Sequence, residues 1–276
     1  MRASLLLALT FLLSHVTGAD PGPGCQTKRD KDYRPSMNCT AGGFSSIPLE
    51  IEPTIQVLLF RDNRFSSLSW SSFQVFAQLH EVDLTGNQIL EVPLSPGALL
   101  PTLSVLRLGW NRLTGLPNGS FSACPALTEL HLPHNTISAL SDGSFSGLSR
   151  LETLDLTSNR ITVLPPLMLH PLVAIENLFL GNNQIRVMPD DWFSKKEDIP
   201  YIILSANPWE CSCSLRILHR YLQDNGLNVY VLDGGLISSD PESVVCQSPL
   251  TLKGLSVVNL EESELCGPRP RSLSRF

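Results

Sequence analysis

Two charged pairs in this chain stand at a spacing that could bring them together: Asp83 with Arg107, and His131 with Asp155, each pair 24 residues apart. A carboxylate beside an imidazole is the beginning of a general-base arrangement. It also favours the charged imidazole, which would make binding sensitive to pH between about 5.5 and 7.5. Hydrolysis needs a nucleophile as well, and the nearest approach to a nucleophile elbow is Gly143-Ser144-Phe145-Ser146-Gly147, with Phe145 where the serine belongs. His131-Leu132-Pro133-His134 supplies two histidines, but no glutamate stands between them and the spacing is not helical, so no metal is expected there. No catalytic residue, metal or cofactor is expected. What remains is recognition chemistry, because aromatic side chains and arginine are the types that anchor protein interfaces.

The 24-residue spacing belongs to the whole chain. Asn63, Asn87, Asn111, Asn135, Asn159, Asn183 and Asn207 recur at that interval. An apolar frame precedes each, as with Leu103, Leu106 and Leu108 ahead of Asn111, and Leu113 follows it. A fixed period with a fixed frame, L-x-x-L-x-L-x-x-N-x-L, is the signature of a solenoid. Each frame opens a short strand whose second and third leucine positions point inward, so stacked copies make a parallel sheet. The asparagine amides are placed to bond turn backbone in their own and neighbouring copies. Apolar residues five places on, from Leu68 to Met188, and a broken row at Phe73, Phe121, Phe145 and Phe193 read as core. Pro93, Pro117, Pro165 and Pro189 discourage regular helix on that side.

This pattern resembles the extracellular leucine-rich repeat family. The resemblance implies an α/β solenoid: a leucine-rich repeat horseshoe with a parallel concave sheet and disulfide-stabilised caps at both ends. The column on the exposed side of the strands runs Leu59, Asp83, Arg107, His131, Asp155, Phe179 and Ile203. At about 4.8 Å between strands, Asp83 is placed to approach Arg107 and Asp155 to approach His131. Flanking columns supply Glu81 and Glu129, then Thr85 and Thr157, with Trp110 and Tyr201 nearby. The candidate partner-binding residues are therefore Asp83, Arg107, Trp110, His131, Asp155, Phe179 and Tyr201, joined by Tyr230 from the C-terminal cap.

The ends read differently. Residues 1–18, with Arg2, an apolar run over 5–13 and small residues at 16–18, read as a secretory signal peptide. An N-terminal cap is expected over 19–54, repeats over 55–206, a cysteine-rich C-terminal cap over 207–266, and a short basic tail with Arg269, Arg271 and Arg275 over 267–276. Secretion makes disulfides the expected use of cysteine. A bridge between Cys25 and Cys39 would close a hairpin-like cap. Cys211, Cys213, Cys246 and Cys266 permit three connectivities; the family resemblance implies Cys211 with Cys246 and Cys213 with Cys266. Cys124, inside the repeats, reads as a buried free thiol or as an intermolecular bridge. Leu215, Leu218 and Leu222 mark one face of a helix that Gly226 stops. The family resemblance implies a second candidate surface in the segment 229–237, where Gly234-Gly235 can supply a turn. Asn38 and Asn118 head glycosylation sequons.

A net charge of −6 points to no nucleic acid, and no segment after the signal is long and apolar enough for a transmembrane helix. The expectation is a secreted, extracellular, non-catalytic module that binds an extracellular or cell-surface protein through its concave face, its C-cap loop or both. The alternatives are a non-catalytic carrier subunit of a secreted enzyme complex and a soluble adhesion-receptor-like protein.

Overall fold

The computed structural model describes residues 24–190, 192–193, 199–233 and 235–266. The expected signal peptide, the basic tail and Gly234 lie outside the described residues. In chain order the strands are β1 (Gln26–Arg29), β2 (Pro35–Asn38), β3 (Val57–Leu59), β4 (Glu81–Asp83), β5 (Val105–Arg107), β6 (Gly115–Leu116), β7 (Glu129–His131), β8 (Ala139–Leu140), β9 (Thr153–Asp155), β10 (Asn177–Phe179), β11 (Tyr201–Ile203), β12 (Trp209–Glu210), β13 (Tyr230–Asp233), β14 (Leu236–Ser239) and β15 (Cys246–Ser248). Nine of them form one sheet in the order β1-β2-β3-β4-β5-β7-β9-β10-β11. From β2 onward every pairing is parallel, and within the repeats each residue faces its equivalent one period away, as Asp83 faces Arg107 and His131 faces Asp155. The chain is a leucine-rich repeat horseshoe with a parallel sheet along its concave face.

The inward leucines are buried throughout: Leu58, Leu106, Leu108, Leu130, Leu132, Leu154, Leu156, Leu178 and Leu180 have no exposed surface worth counting. Between turns the asparagines do what the spacing predicts. Asn111 Nδ2 donates to Leu84 O of the preceding turn at 2.9 Å and to Leu108 O of its own at 3.1 Å, while its Oδ1 accepts from Ile89 N at 2.9 Å. Asn135, Asn159, Asn183 and Asn207 repeat the set. A tight solenoid buries its turn backbone, and these amides satisfy it. The proline-bearing outer side holds turns, one 3-10 turn at Trp70–Phe73, and the parallel pair β6–β8. Two of the buried phenylalanines there, Phe121 and Phe145, stack with centroids 6.2 Å apart.

Both ends are closed. Cys25 and Cys39 are bridged across the β1–β2 hairpin, and β2 itself pairs with β3, so the N-terminal cap extends the sheet. At the other end Cys211 pairs with Cys246 and Cys213 with Cys266. A helix, α1 (Arg216–Asp224), follows a 3-10 turn at Cys213–Leu215; Leu215 of the turn and Leu218 and Leu222 of the helix lie buried on the open core. Tyr221 from that helix stacks on Phe193 at 3.9 Å, and its hydroxyl accepts from Ile199 N at 3.2 Å. A short helix, α2 (Glu262–Cys266), carries the last cysteine. Cys124 is buried and free; burial pushes its thiol up to about 12. The intermolecular-bridge reading is thereby corrected, because a thiol sealed in the core offers no sulfur to a partner.

Candidate functional site

The concave face is built by the outward side chains of the three-residue strands and by the turns that follow them. At its centre Arg107 spans two neighbours, with Nε 3.2 Å from Glu81 Oε1 and a terminal nitrogen 3.3 Å from Glu129 Oε2. Glu129 Oε2 also meets His131 Nε2 at 3.1 Å. Burial pushes the Glu129 carboxyl up, but the His131 bond and the Arg107 charge outweigh it and hold the group below its ordinary value. Partial burial and the Arg34 charge lower the pKa of His80, on the neighbouring column.

The pairings expected from strand register alone are corrected here. Asp83 is buried, accepts at Oδ1 from Thr85 N at 2.9 Å, and lies 3.7 Å from Arg61 Nε rather than against Arg107. Asp155 does the same locally, accepting from Thr157 N at 2.9 Å, and the carboxylate partner of His131 is Glu129. The reason is length. An aspartate side chain is short and closes on the backbone two residues ahead. A guanidinium reaches diagonally to carboxylates two places along the adjacent strands. Arg107 and His131 are brought together through Glu129, while Asp83 and Asp155 serve their own turns.

The aromatic candidates flank this centre. Trp110 is 59% exposed, an unusual degree for tryptophan, and its indole stacks on the His134 ring at 4.0 Å and 17°. Phe179 is half-buried in β10. Tyr201, exposed at the start of β11, lies 5.1 Å from Tyr230. Tyr230 opens the antiparallel β13–β14 hairpin, whose register pairs Asp233 with Leu236, and Val229 just ahead of it bridges Ile202. The cap hairpin therefore continues the concave surface, with Leu232 and Ile237 side by side and exposed. Of the sequons, Asn38 is half-buried in β2, with its Oδ1 accepting from Thr40 N. Asn118 is exposed on the convex side and its Oδ1 accepts from Ser141 Oγ and Gly143 N.

One column escaped the sequence reading. Asp62, Gly86, Trp110, His134, Ser158, Asn182 and Ala206, each just before a ladder asparagine, all have φ between 53° and 74°. The left-handed turn aims the N–H at the next repeat: Asp62 N reaches Thr85 O, Gly86 N reaches Gly109 O and Trp110 N reaches Pro133 O, at 2.9, 3.0 and 2.9 Å. The conformation is thus imposed by the solenoid. For a bulky residue it costs roughly 1–2 kcal/mol, yet a tryptophan occupies it and keeps its ring in solvent. The 24-residue register alone would have revealed this column; residue type would not.

Comparison with known proteins agrees with this architecture. The sequence model of the leucine rich repeat family matches residues 101–161 and 149–208. The chain is 32% identical over 63 residues to a phospholipase A2 inhibitor of Gloydius brevicaudus siniticus, a stretch that covers 23% of this chain and 16% of that protein. The matched stretch is thus less than a fifth of the relative's length. These matches, with the repeats and the capping disulfides, support a leucine-rich repeat family and a protein-binding module.

Proposed function

We propose that this chain is a secreted, non-catalytic module that binds an extracellular or cell-surface protein on its concave face. The observation that carries the reading is Trp110. An exposed indole on a left-handed backbone is doubly unfavourable to the free protein, and aromatic side chains of that kind anchor interfaces. Arg107, already held by Glu81 and Glu129, gives a second anchor whose ordering cost is partly met before any partner arrives. Three disulfides support an oxidising, extracellular setting. Among the described residues no helix is long and apolar enough to cross a membrane. The partial similarity to a phospholipase A2 inhibitor supports a protein ligand. In general form the chain resembles leucine-rich alpha-2-glycoprotein, and in its C-terminal cap the platelet glycoprotein Ib alpha chain.

The exposed pair Leu232 and Ile237 favours a second reading, in which the cap hairpin contributes to or replaces the concave contact. One experiment separates the two. Proteins captured from plasma or extracellular matrix by the mature chain are identified by mass spectrometry, and their affinity is measured for Trp110→Gly and for Leu232→Ser with Ile237→Ser. Concave binding predicts a loss of about 30-fold for Trp110→Gly, the effect of one interface hot spot, and little change for the hairpin variant. The reverse pattern would move the site to the cap.

A further inference from the structure

The chain uses its asparagines in two ways. Each ladder asparagine spends its Nδ2 on backbone carbonyls. Asn118 does the opposite. Its Oδ1 accepts from Ser141 Oγ at 2.7 Å and from Gly143 N at 3.0 Å, while its Nδ2 donates to nothing among the described residues. An exposed residue therefore presents an unengaged nitrogen on an amide that two donors hold in place. Asn118-Gly119-Ser120 is a turn closed on Pro117 O by Ser120 N at 3.2 Å and Ser120 Oγ at 2.7 Å, with Gly119 at φ 74°. An asparagine two places before a hydroxyl residue, on an exposed turn, is the acceptor pattern for an N-linked glycan.

The second sequon, Asn38-Cys39-Thr40, is built differently. Asn38 is half-buried in β2, paired with Gln26 of β1 on one side and with Leu59 of β3 on the other. Its middle residue is bridged to Cys25 at a separation of 14 residues. Cys25 precedes Cys39 in the chain and the loop is short, so the bridge closes at little entropic cost once Cys39 reaches an oxidising compartment. That bridge fixes the β1–β2 hairpin around Asn38. Asn118 has no such competitor, since Cys124, the nearest cysteine, is free.

We infer that Asn118 carries an N-linked glycan, that Asn38 does not, and that the glycan screens the outer flank of the solenoid. In the transfer, Nδ2 forms a bond to the anomeric carbon of an oligosaccharide held on a lipid diphosphate. The bond from that carbon to the diphosphate oxygen breaks, the lipid diphosphate leaves with the bonding pair, and the amide gives up one proton to a base. Asn118 Oδ1 takes no part, so it keeps both of its donors afterwards. Pro117 and Ser141, which adjoin and bond Asn118, also line a recess of about 350 Å³ together with Leu90, Val92, Leu116 and Leu140. Leu90 and Leu94 are exposed on the same flank. Apolar surface of this kind marks a contact site or a liability to self-association. A bulky, hydrated glycan at its border accounts for it without a partner and leaves the concave face clear. The inference rests on the secreted reading, because this transfer belongs to the secretory pathway.

The test expresses the full chain in cultured animal cells and collects both medium and lysate. Peptide:N-glycosidase in heavy-oxygen water converts a glycan-bearing asparagine to a labelled aspartate, which peptide mass spectrometry locates. The expected result is a label at Asn118 and none at Asn38, in disulfide-bonded chain from the medium. Asn118→Asp gives the same polypeptide as the enzyme-treated chain, with an oxygen kept for Ser141 and Gly143, so the two should comigrate on a gel. This variant should bind more of an apolar dye, anilinonaphthalene sulfonate, than the glycosylated chain, and adding Leu90→Ser with Leu94→Ser should cancel the increase. A bare Asn118 in the secreted, disulfide-bonded chain, or a label at Asn38, would overturn the site assignment and leave the secreted reading standing. Equal dye binding by the two forms would overturn the screening. A chain confined to the cytosol with free cysteines would refute the secreted reading and this inference with it.

Discussion

Asn111 offers a stability prediction that can be worked bond by bond. Its Nδ2 faces three carbonyls, Leu84 O, Leu108 O and Gly109 O, and its Oδ1 accepts from Ile89 N. Removing the amide in Asn111→Ala does not strand the carbonyls. Leu84 O keeps Asn87 Nδ2, Leu108 O keeps Asn135 Nδ2, and Gly109 O keeps Gly86 N. What is orphaned is the Ile89 N–H, which costs about 1–3 kcal/mol. Asn111→Asp has nearly the same shape and keeps an acceptor for Ile89, but it turns an unprotonated oxygen toward three carbonyls in a buried site. A buried charge without a partner costs about 3–5 kcal/mol, so the isosteric change should be the worse one at neutral pH. Its pH dependence has a fixed sign. Burial among carbonyls raises the folded-state pKa of the introduced carboxyl above the unfolded value of about 3.9. Its penalty is therefore fully present above the folded pKa and shrinks as pH falls toward the unfolded one. Urea unfolding followed by far-UV circular dichroism, disulfides intact, at about pH 7 and about pH 4.5 tests both parts. If Asn111→Asp is milder than Asn111→Ala at neutral pH, or its deficit does not shrink in acid, the donor role assigned to the ladder amides is wrong.

Two further outcomes follow from the same geometry. The Cys124 thiol, buried and pushed up to about 12, should resist a thiol reagent in the native protein and react fully once the chain is unfolded in urea. Glu129 has its pKa held down by His131 and Arg107 against its burial, so its charged form stabilises the fold above the unfolded pKa, and that contribution is lost as pH falls through the lower folded value. The urea midpoint of Glu129→Gln should therefore lie below that of the unaltered chain at neutral pH, and the two should converge in acid below the ordinary carboxylate value of 4.5.

The period made the fold legible, because seven asparagines in register fix which leucines point inward and which residues share a column. Side-chain pairing was harder to read. Asp83 sits opposite Arg107 in the sheet, as the register requires, yet register says nothing of how far each side chain reaches, and the shorter one bonds its own turn. The left-handed column was hidden for another reason. Asp62, Gly86, His134 and Asn182 are types that accept positive φ readily, but Trp110, Ser158 and Ala206 carry no shared signature. At Trp110, His134 and Ser158 the conformation goes with a hydrogen bond that the backbone N–H sends to the next turn, a property of the stack rather than of any residue. The disulfide pairing of the C-terminal cap came from family resemblance, since four cysteines alone leave three pairings open.

The rigidity of the ladder bears on where specificity can reside. Every turn is tied to its neighbours by an asparagine set and by the left-handed N–H, so the columns of the concave face keep their spacing whether or not a partner is bound. Such a surface binds with little ordering cost. It also cannot adapt much, so discrimination must come from where a column departs from its own pattern. The turn column departs furthest from small and polar types at Trp110, whose indole is exposed. If recognition were spread evenly over the sheet, that indole would carry no special weight. If it is concentrated in a few anchors, as hot spots are, Trp110 should matter more to binding than the more numerous charges at the centre of the sheet, which are already paired with one another.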